Sequence, residues 1–168
     1  MNCCCRCAEV AAYLARPGTI VVENPDYLQG MSTSMRVGLA TLLEGTYQGV
    51  GQQERPQAGV DSALIMLGDQ PLITAQVIDA LISAWRTSGR RIVAALYGGK
   101  RGNPTLFAAS LFGELMEVTG DEGGRRVLER HREEVESVEL GDAAASFDVD
   151  TWEAYQEVVE MWERKKEE

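Results

Sequence analysis

The 168-residue chain is 45% hydrophobic and 25% charged, with a formal net charge of −10, proportions ordinary for one globular domain with a sizeable core. The acidity argues against a general nucleic-acid grip, which needs a basic surface. No apolar run approaches the ~20 residues of a bilayer span, and the amino terminus lacks the layout of a secretory signal, so a cytoplasmic protein with no membrane partner is expected.

The first element is an oddity. All four cysteines are Cys3, Cys4, Cys5 and Cys7. A disulfide framework spreads its cysteines across a fold, and zinc sites draw ligand pairs from separated segments. Residues 1–7 are therefore expected to be a disordered start, residues 8–164 a single partial domain, and 165–168 a charged tail. Residues 8–15 predict a short helix, and the β-branched run Thr19–Val22 predicts a strand ended by the turn Asn24-Pro25-Asp26. Gly30-Met31-Ser32-Thr33-Ser34 then leads into an apolar periodic segment, Val37, Leu39, Ala40, Leu42 and Leu43, with Ser32 or Thr33 as its N-cap. Helix starts of this kind can bind anions, although most Ser/Thr starts cap only themselves. Residues 45–59, rich in Gln and Gly, predict a surface loop.

Ser62 to Leu67 is a short, continuously apolar run that stops at Gly68, delivers Asp69, and turns at Pro71. It predicts a central strand covered on both faces. Ligands of open α/β sheets bind beyond the carboxyl ends of such strands. Asp69 is thus a candidate Mg²⁺ ligand, or else the cap of the next helix, and its position alone leaves the two level. That helix is predicted over residues 74–86, with Val77, Ile78, Leu81, Ile82 and Trp85 inward. Ile92 to Tyr97 predicts a buried strand. The Gly98–Pro104 segment predicts a hairpin turn carrying Lys100, Arg101 and Asn103 at its tip, before extended structure resumes at Thr105.

A helix over 111–118, a break at Gly120–Gly124 and a helix over 125–131 follow. His131, the single histidine, reads as an exposed helix end without a catalytic role. Residues 135–140 predict an edge strand. The alternation in 146–151 puts Asp148 and Asp150 on one face of a last strand, where they repel unless a cation or solvent intervenes. Thr151 then caps a terminal helix. Strands separated by helices, with one hairpin, specify a three-layer α/β sandwich with a mostly parallel sheet.

Five ordered stretches resemble the molybdenum cofactor cytidylyltransferases, within the MobA-like nucleotidyltransferases. They are Asn24-Pro25-Asp26-Tyr27 with Gly30–Leu39, Leu67–Thr74, Arg101-Gly102-Asn103-Pro104, Leu111–Leu115 with Gly120–Arg125, and Asp148-Val149-Asp150-Thr151. The resemblance implies an αβα Rossmann-like nucleotidyltransferase sandwich that transfers CMP from CTP to the phosphate of molybdopterin cofactor and releases pyrophosphate. It implies Asp69 as the catalytic Mg²⁺ ligand, with Asp148 or Asp150 completing the metal site. Asn24, Gly30, Met31, Ser32, Thr33, Ser34 and Gly68 are implied to contact the nucleotide. Gln70, Pro71, Arg101, Gly102, Asn103, Pro104, Gly120, Asp121, Gly123 and Gly124 are implied on the pterin side. A molybdenum hydroxylase, or its maturation chaperone, is the implied recipient of the product.

Family members begin with a strand and a Gly-rich phosphate loop of the form Leu-Ala-Ala-Gly-x-Ser-x-Arg-Met-Gly, which residues 1–20 do not match. The expected fold is therefore N-terminally truncated. Two other readings stay open: a non-catalytic remnant that binds or delivers the cofactor, and a related sugar or alditol nucleotidyltransferase.

Overall fold

The computed structural model describes residues 11–14, 19–44, 59–141 and 147–167. Cys3, Cys4, Cys5 and Cys7, and nearly all of the predicted 45–59 loop, lie outside the described residues. The chain divides into two compact units: Met1–Val60 with Leu115–Gly123, and Asp61–Glu114 with Gly124–Glu168.

In the first unit, residues 11–14 are helical, as expected for part of the 8–15 segment. Thr19–Val22 forms no strand, and Val21 and Val22 are exposed. β-Branched side chains favour extended backbone, but that preference depends on context and does not by itself make a strand. A short 3₁₀ turn, Tyr27–Gln29, leads into α1 (Met31–Glu44). Ser32 and Thr33 lie inside the helix rather than capping it, and both are buried. Of the predicted apolar stripe only Leu39 is fully buried, whereas Leu43 is exposed.

The described residues of the second unit form a four-stranded sheet in the order β1-β3-β2-β4, namely Ser62–Ile65, Lys100–Ala108, Ile92–Tyr97 and Val135–Glu139. β1, β2 and β4 share one direction and β3 runs against them. The mostly parallel sheet is therefore present in strand direction, although β3 lies between two strands it opposes. β4 is an edge strand, as predicted. β1 is one too among the described residues, not the central strand its apolar run suggested; its pattern is only partly buried.

α2 (Ala75–Ser88) lays Val77, Leu81, Ile82 and Trp85 over Val93, Ala95, Tyr97 and Leu106 of the sheet. Gly89, with φ 64°, ends the helix in the left-handed conformation that glycine adopts without strain. Leu111, Phe112 and Leu115 are buried, the last two on α3 (Phe112–Glu117), as their spacing predicts. α4 (Arg125–Arg130) buries Val127.

The β2–β3 hairpin turns on Gly98 and Gly99, with φ 55° and 80° and Tyr97 opposite Lys100. Two successive positive φ angles are what a two-residue hairpin turn requires. The tip is therefore the glycine pair, and Lys100, Arg101 and Asn103 stand on β3 itself. The register shifts so that Ala95 faces Gly102 while Ala94 faces Thr105. Asn103 and Pro104 form the irregularity, where a residue lacking an N–H can sit within a sheet. The Asn103–Pro104 peptide is cis. Glu139 accepts hydrogen bonds from the backbone N–H groups of Gly98 (3.1 Å), Gly99 (3.3 Å) and Gly141 (3.2 Å). These donors, Gly141 foremost, hold its carboxyl below the usual range.

No strand forms in the described part of the 146–151 segment. Thr151 does cap α5 (Trp152–Glu167), through Ala154 N–H to Thr151 Oγ1 at 3.1 Å.

His131 is not an exposed helix end. Its side chain is only 15% exposed, with Nε2 at 2.8 Å from Glu114 Oε1 and Nδ1 at 3.2 Å from Glu134 Oε1. Arg91 holds Glu134 by two bonds, Nε to Oε2 at 2.6 Å and Nη2 to Oε1 at 2.5 Å. The Arg91 bond, then the His131 bond, lowers the Glu134 carboxyl from its ordinary 4.5 to about 2. A depressed carboxylate contributes stability fully above its unfolded pKa and loses it as pH falls through the folded one. Glu134→Gln should therefore be less stable than the parent at neutral pH. The difference should shrink between about pH 4.5 and about pH 2 in urea titrations across that range.

Candidate functional site

The residues expected to contact a nucleotide are held at the start of α1 in the first unit. Asn24 folds its own turn, accepting from Asp26 N–H at 3.0 Å, and its amide donates to Thr33 Oγ1 at 2.9 Å and Ser34 Oγ at 2.8 Å. Thr33 Oγ1 in turn donates toward the carbonyls of Gly30 (2.8 Å) and Asp26 (3.1 Å). The hydroxyls that would cap a helix are therefore turned back into the loop. Ser32 Oγ is buried without a hydrogen-bond partner.

Met31 N–H, one of the helix's first donors, goes instead to Asp121 Oδ1 at 3.0 Å. This tertiary contact has no local sequence signal. Gly30 has φ 110° and lies against Gly120. Gly120, Asp121 and Gly123, expected to line a cofactor mouth, are thus packed against the loop that carries Met31.

In the second unit, β1 runs out through Gly68 and Asp69 into the turn at Pro71. The helix that follows has Thr74 at its N-cap, so Asp69 is not a cap. Val149 N–H donates to the Asp69 carbonyl at 2.9 Å, and Gln70 Nε2 donates to Asp148 Oδ1 at 2.7 Å. The two acidic segments are therefore brought together, although the strand expected to carry Asp148 is absent. Asp69 Oδ1 and Gln70 Oε1 are buried oxygens with no hydrogen-bond partner. A buried carboxylate oxygen left unpaired is costly, and a cation or donor placed opposite it would offset that cost.

Among the described residues no group of three or more His, Cys, Asp or Glu side chains could hold a metal ion. Asp69, Asp148 and Asp150 do not form a cage, and Asp150 is exposed. Mg²⁺ asks for less, since it keeps several waters and takes one or two carboxylates together with substrate phosphates. Asp69 and Asp148, an oxygen-only set, fit that requirement.

Arg101, Gly102, Asn103 and Pro104 occupy β3 beside the hairpin tip. Arg101 Nε donates to Ser137 Oγ at 3.2 Å, and Tyr97 OH donates to the Asn103 carbonyl at 3.0 Å. Arg101 is exposed and Pro104 is buried. Gly124 precedes α4. The ties from Gln70 to Asp148 and from Asp121 to Met31 were beyond sequence reasoning, because each links residues 78 and 90 positions apart, respectively.

Residues 2–135 match the model of the MobA-like NTP transferase domain. The chain belongs to that family. The crystal structure of Rv0371c from Mycobacterium tuberculosis H37Rv resembles it with a TM-score of 0.66 and 28% identity, over 91% of this chain and 70% of that one. The same protein in complex with manganese gives a TM-score of 0.65 at 28% identity, over 91% and 73%. The Rv0371c homologue from Mycobacterium sp. strain JC1 gives 0.60 at 30% identity, over 80% and 59%. The chain thus spans less than two thirds of that homologue's length. Among curated proteins, no sequence matches significantly.

The fold is accordingly the α/β nucleotidyltransferase type that the ordered motifs implied. No helix among the described residues is long and apolar enough to cross a membrane.

Two glycine substitutions separate steric from conformational demands in the MobA-like domain. Alanine at Gly30 would put Cβ 2.6 Å from both C and O of Gly120, at a φ of 110°. Gly30→Ala should cost about 1–3 kcal/mol. Gly38→Ala, in α1 with nothing within 4 Å of the added Cβ, should stabilise by up to ~1 kcal/mol. Urea midpoints read both, and equal shifts would contradict the packing.

Proposed function

We propose that the chain is a divalent-metal-dependent nucleotidyltransferase of the cytoplasm that transfers CMP from CTP to the phosphate of molybdopterin cofactor. The observation that carries this reading is the pair of unpartnered buried oxygens on Asp69 and Gln70, next to Asp148, at the end of a sheet strand in a MobA-like domain. An oxygen of the acceptor phosphate attacks the α-phosphorus of CTP, the bond to the bridging oxygen breaks, and pyrophosphate leaves. Such transfers depend on positioning and charge neutralisation rather than on a protein nucleophile. A bound Mg²⁺ would supply Lewis-acid stabilisation of phosphate charge, held by Asp69 with Asp148 or Asp150 completing the set. Gln70 orients the Asp148 carboxylate.

In this reading, Asn24 and the Gly30–Ser34 loop contact the nucleotide. Arg101, Gly102 and Asn103 face the pterin phosphate, with a molybdenum hydroxylase or its chaperone as recipient of the product. The manganese complex of a relative supports a divalent ion of this class.

The test is incubation with Mg²⁺, molybdopterin cofactor and either CTP or GTP, following dinucleotide and pyrophosphate. Product with CTP supports the assignment; product with GTP alone replaces the base, and no product with either removes the activity from this chain. Asp69→Asn should lower turnover at least ~100-fold, the scale of a lost electrostatic contact to reacting phosphate, with a melting temperature no lower than the parent's because an uncompensated buried charge is removed. Arg101→Ala should raise the KM for the pterin phosphate more than that for CTP, and equal increases would refute the division of roles.

A further inference from the structure

The turn at residues 120–123 is fastened to the start of α1 at three places within one compact unit. Asp121 Oδ1 accepts the Met31 N–H at 3.0 Å. Gly30 and Gly120 approach so closely that a Cβ on Gly30 would meet the Gly120 backbone at 2.6 Å. The Met31 sulfur lies 3.0 Å from where a Cβ on Gly123 would stand. The first N–H groups of any helix lack partners within it. The usual remedy is a Ser, Thr or Asp immediately before the helix, but Gly30 occupies that place. Thr33, whose hydroxyl could have served, donates to carbonyls instead. Asp121 therefore supplies, from 90 positions away, the acceptor that the local sequence withholds.

We infer that Asp121 is a positioning residue that latches the Gly30–Ser34 loop, setting the conformation in which that loop receives a nucleotide. This rests on the reading of the loop as a nucleotide contact. It also gives Asp121 a role different from touching the pterin substrate. The carboxylate acts through a single hydrogen bond to backbone, so the acceptor oxygen carries most of the effect and its charge at the helix start a smaller share. Asparagine, which keeps an oxygen acceptor, should substitute; alanine should not. The two close glycine contacts hold the turn in register, so that the latch meets Met31 rather than a neighbouring N–H.

The experiment compares the full chain with Asp121→Asn and Asp121→Ala, by amide hydrogen exchange at Met31 and by titration with Mg²⁺ and CTP. Asp121→Ala should speed exchange at Met31 about five- to tenfold and weaken CTP binding by a similar factor, the size of one capping bond. Asp121→Asn should lose clearly less, staying within about threefold of the parent in both, because it keeps the oxygen acceptor and gives up only the charge. Unchanged Met31 exchange in Asp121→Ala overturns the latch. Equal loss of CTP affinity in both variants overturns it in favour of a direct charged contact. If the parent chain binds no CTP while Met31 exchange still responds as expected, the nucleotide reading and the positioning role fall, and the latch stands as a structural contact.

Discussion

The second unit depends on the double pairing of β3. It is the partner of both β1 and β2, antiparallel to each. β1 has no other strand beside it among the described residues, so its place rests on four register pairs, from Ser62 with Ala108 to Ile65 with Thr105. The turn bearing Asp69 emerges from the end of that strand. Thr105, Leu106 and Phe107 are buried where β3 passes between its neighbours. The irregularity at Asn103 and Pro104 leaves both residues out of the pairing with β2, which resumes on each side of them, so a proline can enter such a strand. A change that disturbs β3 therefore reaches the acidic turn through backbone pairing.

Much of the element order was legible because period and punctuation agreed. The stripe of α2, the Gly98–Gly99 turn, β2 and the Thr151 cap each announced themselves locally. What failed was what pairing decides. Thr19–Val22 has strand propensity but joins no strand of the described residues, and the 62–67 run has central-strand composition at a sheet edge. The Ser/Thr-rich start of α1 read as self-capping, because residue type does not show which way a hydroxyl turns. At the candidate site, Asp69 was visible from its place after an apolar run. Its unpartnered oxygen was not, since an unmet hydrogen bond is a property of surroundings.

The carboxylates sort by what surrounds them, which the bulk charge of −10 conceals. Glu134 and Glu114 are held by Arg91, Arg130 and His131, and both sit below the ordinary carboxylate range. Glu139 gathers backbone donors. Asp121 takes a helix N–H. Asp148 is met by an amide. Asp69 alone among these retains a buried oxygen with nothing opposite it. The polyphosphate substrate proposed above is compatible with an acidic chain, because a bound cation would supply the positive charge.

The cluster of N–H groups on Glu139 bears on the cost of association. A basic hairpin ordinarily loses conformational freedom when an anion orders it, and that loss is subtracted from affinity. Here the two glycines with the widest backbone latitude are already tied to one carboxylate, and Arg101 is steadied by Ser137. The guanidinium thus stands on a base whose entropy was surrendered during folding. On the proposed function, a phosphate reaching Arg101 would meet a cation whose base is already ordered, and more of the attraction would survive as binding.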